Sequence, residues 1–262
     1  MNSLLSDIQV LSRGLYLQIV FTVKLLDNTI IRSNEPEEVL TYTYDSIGNR
    51  FIIPWRKFKG KLRRLVLEKQ RSYNISKDCS LKDDLCMQCP TCLLFGGTGE
   101  TSTAKVPYNF LSRVLGETLI SKTEVAEIST YTANAVDEKT LTTGQALMNI
   151  VTVPAETEFV GVLTLHDPTP ALSAILVDNL GRFKRLGAST REWGRCDIEI
   201  NGYKLSDRED LSAYHLIGKE KNDWGLDNDG NLSLPEDIEE CYQKVKEDVE
   251  KLVGPLLKNK KK

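Results

Sequence analysis

Residues 79–99 read CSLKDDLCMQCPTCLLFGGTG, and the rest of the chain can be placed by working outward from them. Cys86, Cys89 and Cys92 form two overlapping C-x-x-C steps that bring three thiolates within reach of one cation. Cys79 closes a tetrahedron from across a short loop. Four soft ligands suit zinc, which would return folding energy to a loop too small to build a core. The same spacing also suits an iron–sulfur cluster. Disulfides are the third option, and adjacent C-x-x-C pairs without an export signal favour metal over them. Leu93-Leu94-Phe95 then leads into Gly96-Gly97-Thr98-Gly99. Glycines there permit a close backbone approach by a ligand, which makes Gly96 and Gly97 candidate contacts; a plain turn ending the metal loop is the simpler alternative.

Immediately upstream lies Ile52 to Leu67, IIPWRKFKGKLRRLVL. Pro54 is suited to the first turn of a helix, where its missing N–H costs nothing. Phe58, Leu62, Leu65 and Val66 recur at helical spacing and predict a buried stripe. The remaining face is basic. Arg56, Lys57, Lys59, Lys61, Arg63, Arg64, Lys69 and Arg71 stand against Glu68 alone, a local excess of seven positive charges in a chain whose net charge is −3. A solvated helix face usually mixes both signs, so one sign alone points to an anionic partner, with a phosphate backbone the natural one.

Further upstream, LYLQIVFTVKL (15–25) reads as a strand, and 40–53 as a short hairpin after a polar stretch. Downstream, 109–117 reads as a short helix, 118–132 as strand-like and 140–145 as a loop. EFVGVLTL (158–165) is a second clear strand, and Pro170–Leu180 a helix ending at Gly181. Lys184 and Arg185 precede the small-residue loop Gly187 to Arg195, which carries Arg191 and Trp193 and is followed by a strand over 196–200. Such a loop suits phosphate contacts, with Trp193 available for base stacking. Residues 206–232 read as a polar linker, and a final helix is predicted over 235–252, capped by Ser233.

The chain is 262 residues long, enough for a substantial core, and has no apolar run that would span a bilayer. Its start lacks a secretory pattern, so the expectation is a cytoplasmic protein with no membrane partner. No Ser/His/Asp or Cys/His arrangement and no P-loop is legible.

Four stretches resemble the repeat-associated CRISPR protein superfamily, in its order. Ile53-Pro54 through Lys59-Gly60-Lys61-Leu62-Arg63 resembles its I-P-x-S-x-x-K-G-x-x-R helix start. Cys89-Pro90-Thr91-Cys92-Leu93-Leu94-Phe95-Gly96 resembles C-x-x-C-x-x-F-G, and Val153-Pro154-Ala155-Glu156-Thr157-Glu158-Phe159 resembles V-P-x-x-T-x-F. The loop from Gly187 resembles its late glycine-rich loop. Leu165-His166-Asp167-Pro168-Thr169 and Gly187-Ala188-Ser189-Thr190-Arg191 look most like the backbone subunit of type I-D effector complexes. The type III backbone subunit is the second choice. There, the stretch from Lys122 to Asp137 resembles the segment bearing a thumb, and Asp27-Asn28-Thr29-Ile30-Ile31-Arg32 resembles the loop with a cleaving aspartate. Thr29 departs from the proline usual in that loop.

The resemblance implies an α+β fold: a ferredoxin-like, RNA-recognition-motif-like antiparallel sheet over 1–78 and 93–205, a thumb-like hairpin near 118–152, a zinc-binding insertion at 79–92, and a linker with C-terminal helix over 206–262. It implies antiviral defence as a Cascade component: binding guide CRISPR RNA, pairing with target DNA or RNA, and assembling with identical copies and other effector subunits. Under it the RNA contacts are Arg56, Lys57, Lys59, Lys61, Arg63, Arg64, Gly96, Gly97, Tyr131, Asn134, Lys184, Arg185, Arg191 and Trp193. Asp27 becomes a candidate catalyst that would use a divalent cation such as Mg2+, and Cys79, Cys86, Cys89 and Cys92 become structural zinc ligands.

Overall fold

The computed structural model describes residues 3–32, 40–81, 84–100, 102, 104–126, 128–137, 142–227 and 232–258, and for 129, 131–137, 142–149 and 258 the backbone only. In chain order the elements are β1 (Tyr16–Leu25), β2 (Thr41–Tyr44), β3 (Gly48–Ile53), α1 (Trp55–Ser72), α2 (Pro90–Phe95), β4 (Val114–Gly116) and β5 (Leu119–Ser121). After these come β6 (Ser129–Asp137), β7 (Thr142–Thr152), β8 (Glu158–His166), α3 (Pro170–Gly181), β9 (Cys196–Ser206), α4 (Ala213–Leu216) and α5 (Ile238–Lys258). The architecture is α+β: an antiparallel seven-stranded sheet in the order β2-β3-β5-β8-β1-β9, with β4 also paired to β8. β6 and β7 form a separate two-stranded hairpin.

β1 lies between β8 and β9 and is buried on both faces. Leu17, Ile19, Phe21, Val23 and Leu25 enter the main core, while Val20 enters a second one. β8 alternates likewise, with Phe159, Leu163 and Leu165 on one face and Val160 and Val162 on the other. Successive strand side chains point to opposite faces, so each strand feeds two cores at once. β1 and β8 pair without a break from Tyr16–His166 to Lys24–Glu158.

The main core is covered by α1, α3 and α5. The predicted stripe of α1 is buried, and Phe58 stacks between Phe21 (5.0 Å between centroids) and Phe183 (4.5 Å). Thr169 caps α3, its hydroxyl accepting from the Leu172 amide, with Pro170 in the first turn. The C-terminal helix begins later than predicted, at Ile238, and Asp237 rather than Ser233 caps it by accepting the Glu240 amide at 3.0 Å. It docks through Tyr242. The fully buried hydroxyl of Tyr242 accepts from Asn179 Nδ2 (3.0 Å) and donates to the Val66 carbonyl (3.2 Å), joining α5 to α3 and α1. Burial pushes that phenol well above its ordinary range.

Three local expectations change. Residues 109–117 form no helix. Phe110 bridges Gly97, and Val114–Gly116 becomes β4 on the edge of β8, where ladder pairing outweighs a weak helical pattern. Residues 142–145, expected in a loop, continue β7; residues 140 and 141 lie outside the described residues. The stretch expected as a polar linker instead covers the sheet's second face. Ala213, Leu216, Ile217 and Trp224 pack on Val20, Ile120, Val160 and Val162. Gln18, buried in β1, exchanges two hydrogen bonds with the Leu211 backbone at 2.9 and 3.0 Å. Among the described residues no helix is long and apolar enough to cross a membrane.

Candidate metal centre and anion cleft

α1 presents different residues on different sides, and the two candidate sites lie along it. On one side its polar side chains hold the cysteine knot. Buried Gln70 accepts from the amide (3.1 Å) and hydroxyl (2.9 Å) of Thr91, while Arg71 donates to the Cys79 carbonyl at 2.6 Å. α2 starts inside the knot: Cys89 caps it, with Sγ accepting from the Cys92 amide, and Pro90 occupies the first turn.

The four sulfurs, Cys79, Cys86, Cys89 and Cys92, lie within 4.8 Å of one another. Cys79–Cys92 is 3.7 Å and Cys79–Cys89 is 3.8 Å. None is in a disulfide. A tetrahedral ion with thiolates at about 2.3 Å sets its sulfurs about 3.8 Å apart, so the donors fit one such ion. Thiols this close cannot all ionise by themselves. Hydrogen bonds from Cys79, Cys89 and Cys92 pull Cys86 strongly down, while contacts with Cys79 and Cys86 push Cys89 and Cys92 up. A cation removes that conflict by accepting four thiolates together. The cluster can therefore bind a metal such as zinc.

Gly96 and Gly97 are closely packed by the chain itself, and neither lines the anion cleft described below. A Cβ on Gly96 would lie 2.8 Å from the Phe110 carbonyl oxygen, and one on Gly97 would lie 2.7 Å from Met87 Sδ. Both are packed against the knot's own chain.

The basic residues of α1 divide between two sides. Lys59 donates to Ser112 Oγ at 2.8 Å and Arg63 to the Gly96 carbonyl at 3.1 Å, so both are spent on the segment after the knot. Burial, and then Arg63, lower the Lys59 pKa. Arg56, Lys57, Lys61 and Arg64 open instead onto a cleft of about 480 Å³, whose opposite wall includes Arg185, Gly187, Ala188 and Thr190. Arg32 completes the set: among the described residues the lining holds six cations and one acid, Glu68. Among the described residues none of the six is in an ion pair. Lys57 donates to the Arg32 carbonyl, and burial followed by the charge of Arg56 lowers its pKa.

The helix and the late glycine loop thus share one groove, as their sequences suggested. Other predicted contacts lie elsewhere. Lys184 pairs with Asp197 at 2.8 Å, and Arg191 is exposed outside the cleft lining. Trp193 is also outside the lining, which contains no aromatic residue and so no stacking platform. Tyr131 and Asn134 sit on β6, whose side chains lie outside the described residues. Arg32 escaped the sequence reading because it stands alone beyond β1; its signal was only its place after the apolar pair Ile30-Ile31.

Asp27 is occupied structurally. Its Oδ1 accepts the amides of Gly194 (2.7 Å) and Arg195 (2.9 Å). Among the described residues, the only group of three or more His, Cys, Asp or Glu side chains with converging ligand atoms is the cysteine cluster, and Asp27 belongs to no other.

The fold matches "Crystal structure of Thermofilum pendens Csc2" at 21% identity over 93% of this chain and 78% of that one, with a TM-score of 0.59. It matches a chain of "Type IV-B CRISPR Complex" at 14% identity over 78% of this chain and 100% of that one, with a TM-score of 0.51. At these identities the likeness is one of fold. Among curated proteins nothing matches. The family model described as Csc2 Crispr matches residues 3–261, and the chain belongs to the Csc2 CRISPR family.

Proposed function

We propose that this chain is the repeated backbone subunit of a type I-D CRISPR effector complex, holding guide RNA by its phosphates without regard to sequence. The observation that carries the reading is the cleft, where among the described residues there are six cations in no ion pair, one acid, and no aromatic side chain. Such a lining attracts a polyanion by charge and offers little to read bases with, as a subunit accepting any guide requires. Base pairing by the guide then supplies specificity toward target DNA or RNA.

The fold supports the same reading. Taken as β1-α1-β5-β8-α3-β9 with strand order β9-β1-β8-β5, the centre follows the βαββαβ connectivity of an RNA-recognition-motif-like domain. β2 and β3 extend one edge, and β6–β7 would serve as the thumb. Zinc is the metal that best suits four thiolates at these separations. Its role would be structural, because none of the four cysteines lines the cleft and the knot packs on Leu67, Gln70 and Arg71 near the end of α1.

The test is retention of RNA by the full chain co-expressed with its neighbouring subunits. Replacing Lys57, Lys61, Arg64 and Arg185 together by glutamate should abolish co-purifying RNA while leaving the folded chain intact. Unchanged RNA retention would defeat the proposal.

A further inference from the structure

We infer that Asp27 is a positioning residue, whose carboxylate latches the loop 187–195 to the end of β1 and thereby sets the far wall of the anion cleft. Its consequence for RNA rests on the reading of the cleft given above; the latch itself does not.

Two successive amides converge on one oxygen, Gly194 N at 2.7 Å and Arg195 N at 2.9 Å from Asp27 Oδ1. Hydrogen bonds to a charged acceptor are stronger than neutral ones and define direction. The geometry needs glycine at 194. Its φ is +80°, and a Cβ there would lie 1.9 Å from the Leu186 carbonyl oxygen. The loop's neck is closed by Leu186 N donating to Gly194 O at 2.8 Å. Its other end is held by Ala188 N donating to Ile30 O at 2.9 Å. Of the residues facing α1 across the groove, Gly187 and Ala188 sit at the Ile30 anchor and Thr190 lies between it and the Asp27 anchor, both supplied by residues 27–30.

The same short segment reaches the hairpin. Asn28 Oδ1 accepts the Ala155 amide at 2.9 Å, and Thr29 pairs with Val153 in both directions at 2.8 and 2.9 Å. Val153 directly follows β7. Residues 27–30 thus tie the cleft wall on one side and the root of the hairpin on the other. Among the described residues Asp27 joins no group of three or more carboxylates, imidazoles or thiols converging on a common point. Asp27 instead spends Oδ1 on backbone amides, the role of an anchor.

The test uses the full chain with Asp27→Ala, Asp27→Ser and Asp27→Asn, in that order of increasing ability to accept amide hydrogen bonds. Amide exchange over 186–196 reads the latch without RNA, and anisotropy with a labelled unstructured single-stranded RNA reads the cleft. The expected result is faster exchange confined to the loop in Asp27→Ala and about tenfold weaker RNA binding. Asp27→Ser should fall between, and Asp27→Asn, which keeps the acceptor oxygen, should stay within about threefold of wild type. Wild-type exchange in Asp27→Ala, or variants that bind RNA fully but lose target-strand cleavage, overturns the proposal, the latter in favour of catalysis. If Asp27→Ala fails to fold, the order of Ser and Asn decides. If the wild-type chain binds no RNA, the cleft reading fails while exchange at Gly194 and Arg195 still judges the latch.

Discussion

Replacing Lys61 and Arg64 by alanine should change how RNA binding responds to salt, by an amount the cleft geometry sets. Among the described residues six cations line the groove and none is in an ion pair. If each neutralises one phosphate of a single strand, log K falls against log salt with a slope of about −4, a loss of about 300-fold between roughly 50 and 200 mM salt. With Lys61 and Arg64 gone, four contacts remain. The slope becomes about −3, and the loss over the same range about 50-fold. Fluorescence anisotropy with a labelled unstructured RNA, titrated at several salt concentrations, measures both slopes. Lys184→Ala is the control: it lies outside the groove and is paired with Asp197, so its slope should match wild type. A double variant with the wild-type slope, or a Lys184 variant that loses as much as the double, would refute the assignment of the cleft as the phosphate track.

The other predictions concern stability and metal. Lys59→Met and Arg63→Met, which remove anchors to Ser112 and Gly96, should lower the unfolding midpoint yet leave the salt slope unchanged; a reduced slope would return both residues to the RNA site. The purified chain should carry about one zinc, and Cys89→Ser or chelation should remove it and lower the thermal midpoint. Metal content that survives Cys89→Ser would contradict the site. Tyr242→Phe should cost about 1–2 kcal/mol in urea unfolding through the lost bonds to Asn179 and Val66, and a change below about 0.5 kcal/mol would count against that network. Burial raises the Glu117 pKa above 4.5 against the opposing bonds from Ala213 and Ser212. The folded chain thus holds this proton more tightly than the unfolded one, so stability falls as pH rises past 4.5 toward the folded value. Glu117→Gln should flatten that fall, and a superimposable pH profile would refute the assignment.

What was legible in the sequence is what short-range chemistry encodes. The two-faced strands over 15–25 and 158–165, the buried stripe Phe58-Leu62-Leu65-Val66 and the four cysteines each carry their signal within one or two turns or strand lengths. A repeat of 3.6 or 2 and a C-x-x-C step need no knowledge of the rest of the chain. The excess of positive charge on α1 was legible for the same reason. How that charge is divided was not. Lys57, Lys61 and Arg64 form one stripe and Lys59 and Arg63 another, and the sequence treats both alike; only the positions of Ser112, Gly96 and the late loop send one stripe to the knot and the other to the groove. Arg32 and Asp27 acquired their places through partners about 150 residues or more away in the late loop. The second layer over 213–224 was hidden because its few apolar residues make no periodic pattern and gain their meaning from Val20, Val160 and Val162, already assembled on the sheet. Local periodicity thus determined the elements and the metal ligands. Long-range packing decided which side chains share a surface, because that depends on distances the chain's order does not contain.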